Sequence, residues 1–410
     1  MKILHTGDLH LGQILYQYYE RVEEHRHFFA QLEQWCEEYK PDALLVSGDI
    51  FDIQQPSAAV RDFFNSSFAS LHRRFPNIQL VITAGNHDSA ARIEADREVW
   101  GLSDVTLIGH APSPEALDAD NGWQDRFIVE INSGFIIALP FMSSVRTEVV
   151  QSVLDRVSIR NTDERPVVMM AHQALSGCDF SGHGEIGNLR SQTIDEMGTG
   201  YDYLALGHIH RPQTMGQKLS DENDTSSTYA AGAVRYAGSP VSVSGDEQYT
   251  HSVSLVDIDH HGGTVELTRL PVDQLFDFHI LPANGQEAAK SAEEVFGLVD
   301  DFCANSSGYF RLRIDSIAAL PADFTQTIYR KIEASEGRVR WNPNTITENE
   351  IRTPSYEKEP VFKVAELQQM SDPLVFIRKT IDQYPELNID ELVADFKEIE
   401  DEIREGDMQK

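Results

Sequence analysis

Cysteine is scarce in this chain of 410 residues: there are three, Cys36, Cys178 and Cys303, with no CxxC spacing. Neither a disulfide framework nor a thiolate zinc ribbon can be built from them, and such sparse use fits a reducing cytoplasm. Long apolar runs are missing as well. No stretch approaches the ~20 apolar residues that span a bilayer. In the N-terminal "MKILHTGDLH", Asp8 breaks a run already too short for a signal peptide. Positive charge is the third shortage. Lysine and arginine number 34 against 66 acidic residues, a formal net charge of −32. Such a balance repels nucleic acid and attracts cations, which argues against a generic DNA-coating protein. It leaves room for a local basic surface or a partner that supplies one, and it is equally compatible with a salty native environment.

What is present is globular composition, 41% hydrophobic and 24% charged. The length exceeds one ordinary core, so two or three domains are expected. One punctuation recurs five times. "KILHT" leads into "GDLHLG", "ALLVS" into "GDIFD", "LVITA" into "GNHDS", "VVMMA" into "HQALSG" and "YLALG" into "HIHRP". Each short apolar run reads as a strand buried on both faces. Each ends in Asp, Asn or His, in four cases beside a glycine that permits a tight turn. Helical spacing lies between the first strands, over 19–39 and over 57–75, the second opening on the capping residue Ser57. Strands alternating with helices imply an α/β layered domain, with ligands beyond the carboxyl ends of its strands.

The residues that would converge on that rim are Asp8, His10, Asp49, Asn86, His172, His208 and His210. Carboxylate, amide and imidazole donors without thiolate suit Mn²⁺ above all, with Mg²⁺, Fe²⁺ or Zn²⁺ as other choices. They suffice for two ions. Two metals ~3.5–4 Å apart can clamp a phosphate, supply a hydroxide nucleophile and stabilise the oxyanion of an in-line displacement. A single bridging carboxylate would hold that separation, and Asp49 is the candidate. Any one Asp or His at a strand end is ordinarily a turn or cap residue. Four ordered elements, "GDLH", "GDIFD", "GNHD" and "GHIH", with His172 between the last two, point instead to phosphoester hydrolysis. His25, His27, His72, His183 and His251 fall outside the pattern and read as surface or structural.

With "HTGDLHLG", "VSGDIFD", "TAGNHDSAAR", "LALGHIHRP" and "YAGSP", the sequence resembles the calcineurin-like metallophosphoesterases, and more closely the bacterial SbcD nucleases. The motifs span roughly the first two-thirds of the chain. The resemblance implies a first metal on Asp8, His10, Asp49 and His210 and a second on Asp49, Asn86, His172 and His208. It implies that His87 assists catalysis, by protonating the leaving oxygen or stabilising the transition state, tasks that suit an imidazole titrating near neutrality. Asp88 would support the turn or the histidine, and Asp52 receives no catalytic role. The fold implied is a metallophosphoesterase β-sandwich flanked by helices over 1–272, followed by a small α+β capping domain over 273–350. A linker and C-terminal helices over 351–410 would bind an SbcC-type ATPase.

The later segments carry patterns of their own. "HSVSLVDI" and "TVELTRL" read as strands completing a second sheet, and "LSDENDTSST" (219–228) as a loop. In the small unit, "FDFHIL", "YFRLRI" and "RVRW" read as strands, with helices over 286–303 and 322–336. Alternation puts Phe310, Leu312, Ile314, Val339 and Trp341 inward and Arg311, Arg313, Arg338 and Arg340 outward. With Arg330 and Lys331 nearby, this face is either a solvated surface or a DNA phosphate-binding patch. At the C-terminus Leu392, Phe396, Ile399 and Ile403 form an amphipathic stripe for a partner helix or for the protein's own body.

Together these readings describe a Mn²⁺-dependent DNA nuclease subunit. The resemblance further implies a homodimer within a heterotetramer, cytoplasmic and nucleoid-associated, with no membrane partner. The competing readings are a stand-alone phosphoesterase for nucleotides or small phosphodiesters, which would share every metal ligand, and a scaffold with an idle site. The complete ligand set argues against the scaffold.

Overall fold

A computed structural model describes residues 1–112, 122–181, 191–216, 225–247, 249–315 and 320–347. The chain divides into two compact units, Met1–Thr345 and Ile346–Lys410. The described residues lie almost entirely in the first, so the stripe from Leu392 to Ile403 falls outside them. Among the described residues no helix is long and apolar enough to cross a membrane.

Two sheets dominate. The first, of seven strands, runs β12 (Ser226–Tyr229), β15 (Val265–Pro271), β14 (Ser252–Ile258), β1 (Lys2–Thr6), β4 (Ala43–Ser47), β5 (Gln79–Thr83), β6 (Thr106–Ile108). The second, of six, runs β11 (Gln213–Thr214), β13 (Ala233–Tyr236), β10 (Tyr203–Gly207), β9 (Val167–His172), β8 (Gly134–Ala138), β7 (Ile128–Ile131). The five punctuated runs are β1, β4, β5, β9 and β10, and within each sheet they pair in parallel. Residues 226–228, the end of the expected loop, instead pair with Tyr229 along β15 as an edge strand. Their polar side chains suit that position, because an edge strand needs only backbone partners on one side.

Period-two alternation explains the layering. Ile3, Ala43, Leu45 and Val81 join a core with Phe135, Ile137, Met169 and Leu206 of the second sheet. Their neighbours Leu4, Leu44, Val46, Leu80 and Ile82 face the other way, into a core with Phe28, Leu32, Phe64, Phe68 and Leu71. Those last residues come from α1 (Val22–Tyr39) and α2 (Ala58–Arg74), the two helices read from spacing. The Ser57 hydroxyl accepts the Val60 amide, capping α2 as expected. Helix α1 starts later than its pattern because Tyr19–Glu20 forms β3, paired with β2 (Ile14–Leu15). Short α3 (Ala90–Ala95) and α4 (Arg97–Gly101) follow β5, and α5 (Thr147–Arg160) contacts β8 on the second sheet.

The small α+β unit contains β16 (Phe278–Leu281), α6 (Ala292–Asn305), β17 (Gly308–Ile314), α7 (Phe324–Glu333) and β18 (Val339–Thr347), with its strands in the order β16-β17-β18. Phe310, Leu312, Ile314, Val339 and Trp341 form its own core with α6 and α7, as alternation predicts. The opposite face differs from expectation: it does not present four arginines to solvent. Arg340 is buried, donating to Glu24 Oε2 (3.3 Å) and to the Tyr309 hydroxyl (2.7 Å), with the Phe276 ring 4.1 Å away. Arg313 is buried on the carbonyls of Ala283 and Gln286. Arg311 donates to Asn344 O, and the exposed Arg338 to the carbonyls of Ser306 and Cys303. Lys331 pairs with Asp300, and Arg330 lies exposed. Alternation reports which side of a strand a residue takes, not whether that side meets water or another part of the protein.

The acid at this seam is Glu24 of α1, whose carboxylate also accepts Arg21 Nε (2.9 Å) and the Tyr309 hydroxyl (3.1 Å). Replacing Glu24 by Ala leaves Arg21 buried without its carboxylate and Arg340 with only that of Glu23, 3.8 Å away, which should cost about 3–5 kcal/mol. Urea denaturation checks this, and an unchanged midpoint would show that the seam depends on something else.

Candidate metal centre

Parallel pairing leaves the carboxyl ends of β1, β4, β5, β9 and β10 on one rim. Two backbone bonds tie the first two loops together, Asp8 N to Gly48 O and His10 N to Asp49 O, each 3.0 Å. The sheets are joined there by the Ser47 hydroxyl on Ala205 O (3.2 Å) and by His172 Nδ1 on Ser47 O (2.9 Å). Side chains add further ties: Asp8 Oδ1 accepts the His208 amide and Asp49 Oδ1 the His87 amide, both at 2.8 Å.

Strain sits on the functional residues themselves. Asp8, His10, Asp49 and His208 have φ of 50°, 45°, 47° and 95°. Left-handed non-glycine residues cost about 1–3 kcal/mol each and persist where the surroundings over-determine them. The glycines do a different job from the one expected. Only Gly48 among Gly7, Gly48, Gly85 and Gly207 has positive φ, 79°. At Gly85 the constraint is space: a Cβ there would lie 2.1 Å from Asp49 Oδ1.

The seven rim residues come together as two groups. Ligand-capable atoms of Asp8, His10 and His210 lie within 4.8 Å of one another, as do those of Asp49, His172 and His208. Asn86 Oδ1 joins the second group, 3.1 Å from His172 Nε2 and 2.8 Å from His208 Nδ1. Asp49 Oδ2 lies between the groups, 3.3 Å from His172 Nε2 and 3.8 Å from His10 Nε2. Asp8 Oδ2 and His10 Nε2 are buried with no hydrogen-bond partner among the described residues. Orphaned donor atoms converging on one point, with nitrogen and oxygen only, fit divalent cations.

Charge supports the same reading. Burial, opposed by His172 and reinforced by Asp49, raises Asp8 to about 7. Burial alone would raise Asp49 too, but His172 and its hydrogen bond hold it well below the carboxylate range. Burial would lower His172, but Asp49 carries it up to about 9. In the protein alone, histidine protons therefore offset the buried carboxylates. Cations would take over that role, releasing protons as they bind.

Residues 1–212 match the calcineurin-like phosphoesterase family. The chain belongs to that family. Over 318 residues it is 30% identical to the SbcD component of nuclease SbcCD from Rhodobacter capsulatus, covering 70% of this chain and 72% of that protein. The corresponding SbcD protein of Escherichia coli K12 is 28% identical, over 62% of this chain and 65% of its own length. The "DNA double-strand break repair protein Mre11" of Methanopyrus kandleri is 27% identical over 70% of this chain and 60% of that one.

Around this phosphoesterase site, "GNHDS" resolves into distinct positions. His87 is exposed at the mouth, its ring 4.9 Å from that of His10. Its Nδ1 lies 2.8 Å from the Asp52 carbonyl, so Nδ1 carries the proton and Nε2 is left to exchange one. Asp88 does not touch His87. Its carboxylate accepts the amides of Gly85 (2.8 Å), Ile50 (3.0 Å) and Phe51 (2.9 Å), fastening the loop after β5 to the loop after β4. Burial and the charge of Asp49 raise it to about 6 despite those amides.

Three residues not expected as ligands or catalytic groups touch the side chains of the two clusters. Asp52 Oδ1 lies 3.3 Å from His10 Nδ1, and Glu247 Oε1 lies 3.1 Å from His210 Nδ1. Phe141 stacks at 25° on His208, its centroid 6.4 Å away. Asp52 sits inside "GDIFD" and could have been suspected from its position. Nothing local marks Phe141 or Glu247, because folding alone brings them to the rim.

Gly85→Ala should push Asp49 out of place, lowering divalent-metal affinity at both groups and costing about 1–3 kcal/mol through overpacking. Calorimetric titration and thermal melting test it, and wild-type metal binding in the variant would refute the close-approach argument.

Proposed function

We propose that this phosphoesterase is a Mn²⁺-dependent DNA nuclease subunit that works with an SbcC-type ATPase. It cleaves duplex ends as an exonuclease and single strands or hairpins as an endonuclease, in the processing of DNA breaks. The observation that carries the reading is Asp49 Oδ2 between two ligand groups, with His87 exposed beside them. Relatives that are the SbcD component of nuclease SbcCD support DNA as the substrate and the ATPase as partner. A homodimer within a heterotetramer, in the cytoplasm at the nucleoid, belongs to the same proposal.

Asp8, His10, Asp49 and His210 would hold one ion, and Asp49, Asn86, His172 and His208 the other. Divalent ions held there, Mn²⁺ in this proposal, would supply Lewis-acid charge to the scissile phosphate and to an attacking water. The chain's own residues do the rest. Asp8 and Asp49, fixed by the His208 and His87 amides, keep the ligand groups in register. His87, with Nδ1 held by the Asp52 carbonyl, presents Nε2 to the phosphate to protonate the leaving oxygen or stabilise the charge developing on the phosphate.

With Mn²⁺ and end-labelled hairpin DNA, the wild type should cleave. His87→Ala should keep both ions and lose about 10²–10⁴-fold in rate, while Asp49→Ala should weaken both ions. Loss of metal from the His87 variant would overturn the role given to His87. Hydrolysis of a small phosphodiester with no action on DNA would favour the stand-alone phosphoesterase.

The ATPase contact is assigned to the C-terminal stripe of Leu392, Phe396, Ile399 and Ile403, on its sequence pattern. Truncation before Leu367 should abolish association with the ATPase in gel filtration and spare small-diester hydrolysis. Retained association would move the contact elsewhere.

A further inference from the structure

Glu247 is a buried carboxylate that none of the sequence motifs accounts for. Its side chain is fully shielded, yet among the described residues no lysine or arginine forms an ion pair with it. Its contacts are neutral donors and histidines. Oε1 faces His210 Nδ1 at 3.1 Å, and Oε2 accepts the Ser239 hydroxyl at 3.2 Å and the Val243 amide at 3.1 Å. His251 Nε2 lies 3.6 Å from Oε2. A carboxylate buried without a cationic partner is expensive, and the position needs a compensating charge. His251 offers such a charge at Oε2, and at Oε1 it is available through the imidazole of His210 toward the cluster of Asp8 and His10.

The loop carrying Glu247 is clamped on its other side. Ser242 O accepts Arg21 Nη1, and Val243 O accepts Gln13 Nε2 at 3.0 Å. Arg21 is itself held by Glu24, the acid on which the small α+β unit rests. Asp246, beside Glu247, meets Arg311 of that unit at 3.5 Å. Glu247 is thus fixed by two separate elements and aimed at a single ring nitrogen of one metal-cluster residue.

We infer that Glu247 is a positioning residue. It accepts the Nδ1 proton of His210, fixes the tautomer that offers Nε2 to the first metal, and shares its charge with that ion through the ring. Partners of this kind orient a histidine ligand and raise its basicity. The inference rests on the two-metal reading above. It adds that the first ion depends on a residue that touches neither ion nor substrate.

The experiment follows Mn²⁺ binding to the whole protein without DNA, by equilibrium titration and by electron paramagnetic resonance, which separates a spin-coupled Mn²⁺ pair from a single ion. Glu247→Ala should lower affinity for one ion by about 100-fold, and Glu247→Gln, which keeps an acceptor oxygen, by about 10-fold. Binding of the other ion should stay unchanged, so at limiting metal the coupled spectrum gives way to a single-ion spectrum. A role confined to pinning the loop would shift the melting temperature and leave the spectrum alone, and that result would overturn the inference. Equal loss of both ions would overturn it too. If Glu247→Ala does not fold, the Gln variant decides by the same criteria. A wild-type protein that bound no pair would instead refute the two-metal reading.

Discussion

Asp49 is a carboxylate buried at the meeting point of two sheets, and the surrounding structure is arranged to tolerate it. One oxygen takes the His87 amide, while the other lies between His172 of the second sheet and His10 of the first. A buried anion persists only where donors and opposite charge surround it closely. That requirement explains the missing side chain at Gly85, the left-handed backbone at Asp49 itself and the three amides gathered by Asp88. The sandwich must keep its rims in register for these groups to meet, which gives the Ser47 hydroxyl bridge and the His172–Ser47 bond more than a packing role.

Outside the cluster the same economy of positive charge recurs. With 34 basic residues against 66 acidic ones, the chain uses several arginines internally. Arg21 and Arg340 share Glu24, and Arg313 satisfies backbone carbonyls. The small unit therefore meets the rest of the chain through buried charges as well as aromatic contacts, Tyr309 packing against Tyr16 and Tyr19. One acid, Glu24, collects groups from α1, β17 and β18, so the seam depends on complete pairing.

The rim residues were legible because each sits at or just after the end of a strong strand pattern, where local sequence and position in the sheet are tied together. Asp8, Asp49, Asn86, His172 and His208 could be assigned to one edge from the pattern alone, since parallel strands end on the same side. The partners of these side chains were not legible in this way. Glu247 and Phe141 lie in stretches with no pattern of their own and reach His210 and His208 only through the closing of the sandwich. The arginines of β17 and β18 show the complementary failure, in which the side of the strand was read correctly and its surroundings were not.

The sequence by itself determined the alternation of strands and helices, the seven ligand-capable residues and the family to which they point, because these depend on short-range periodicity and spacing. Tertiary structure decided that Asp49 faces both ligand groups, that Gly85 is needed for space and not for a turn, and that Arg340 is buried at a seam. Each of those outcomes is a distance between residues far apart in the chain. Such distances are set by how the sheets and the small unit pack, which no local pattern encodes.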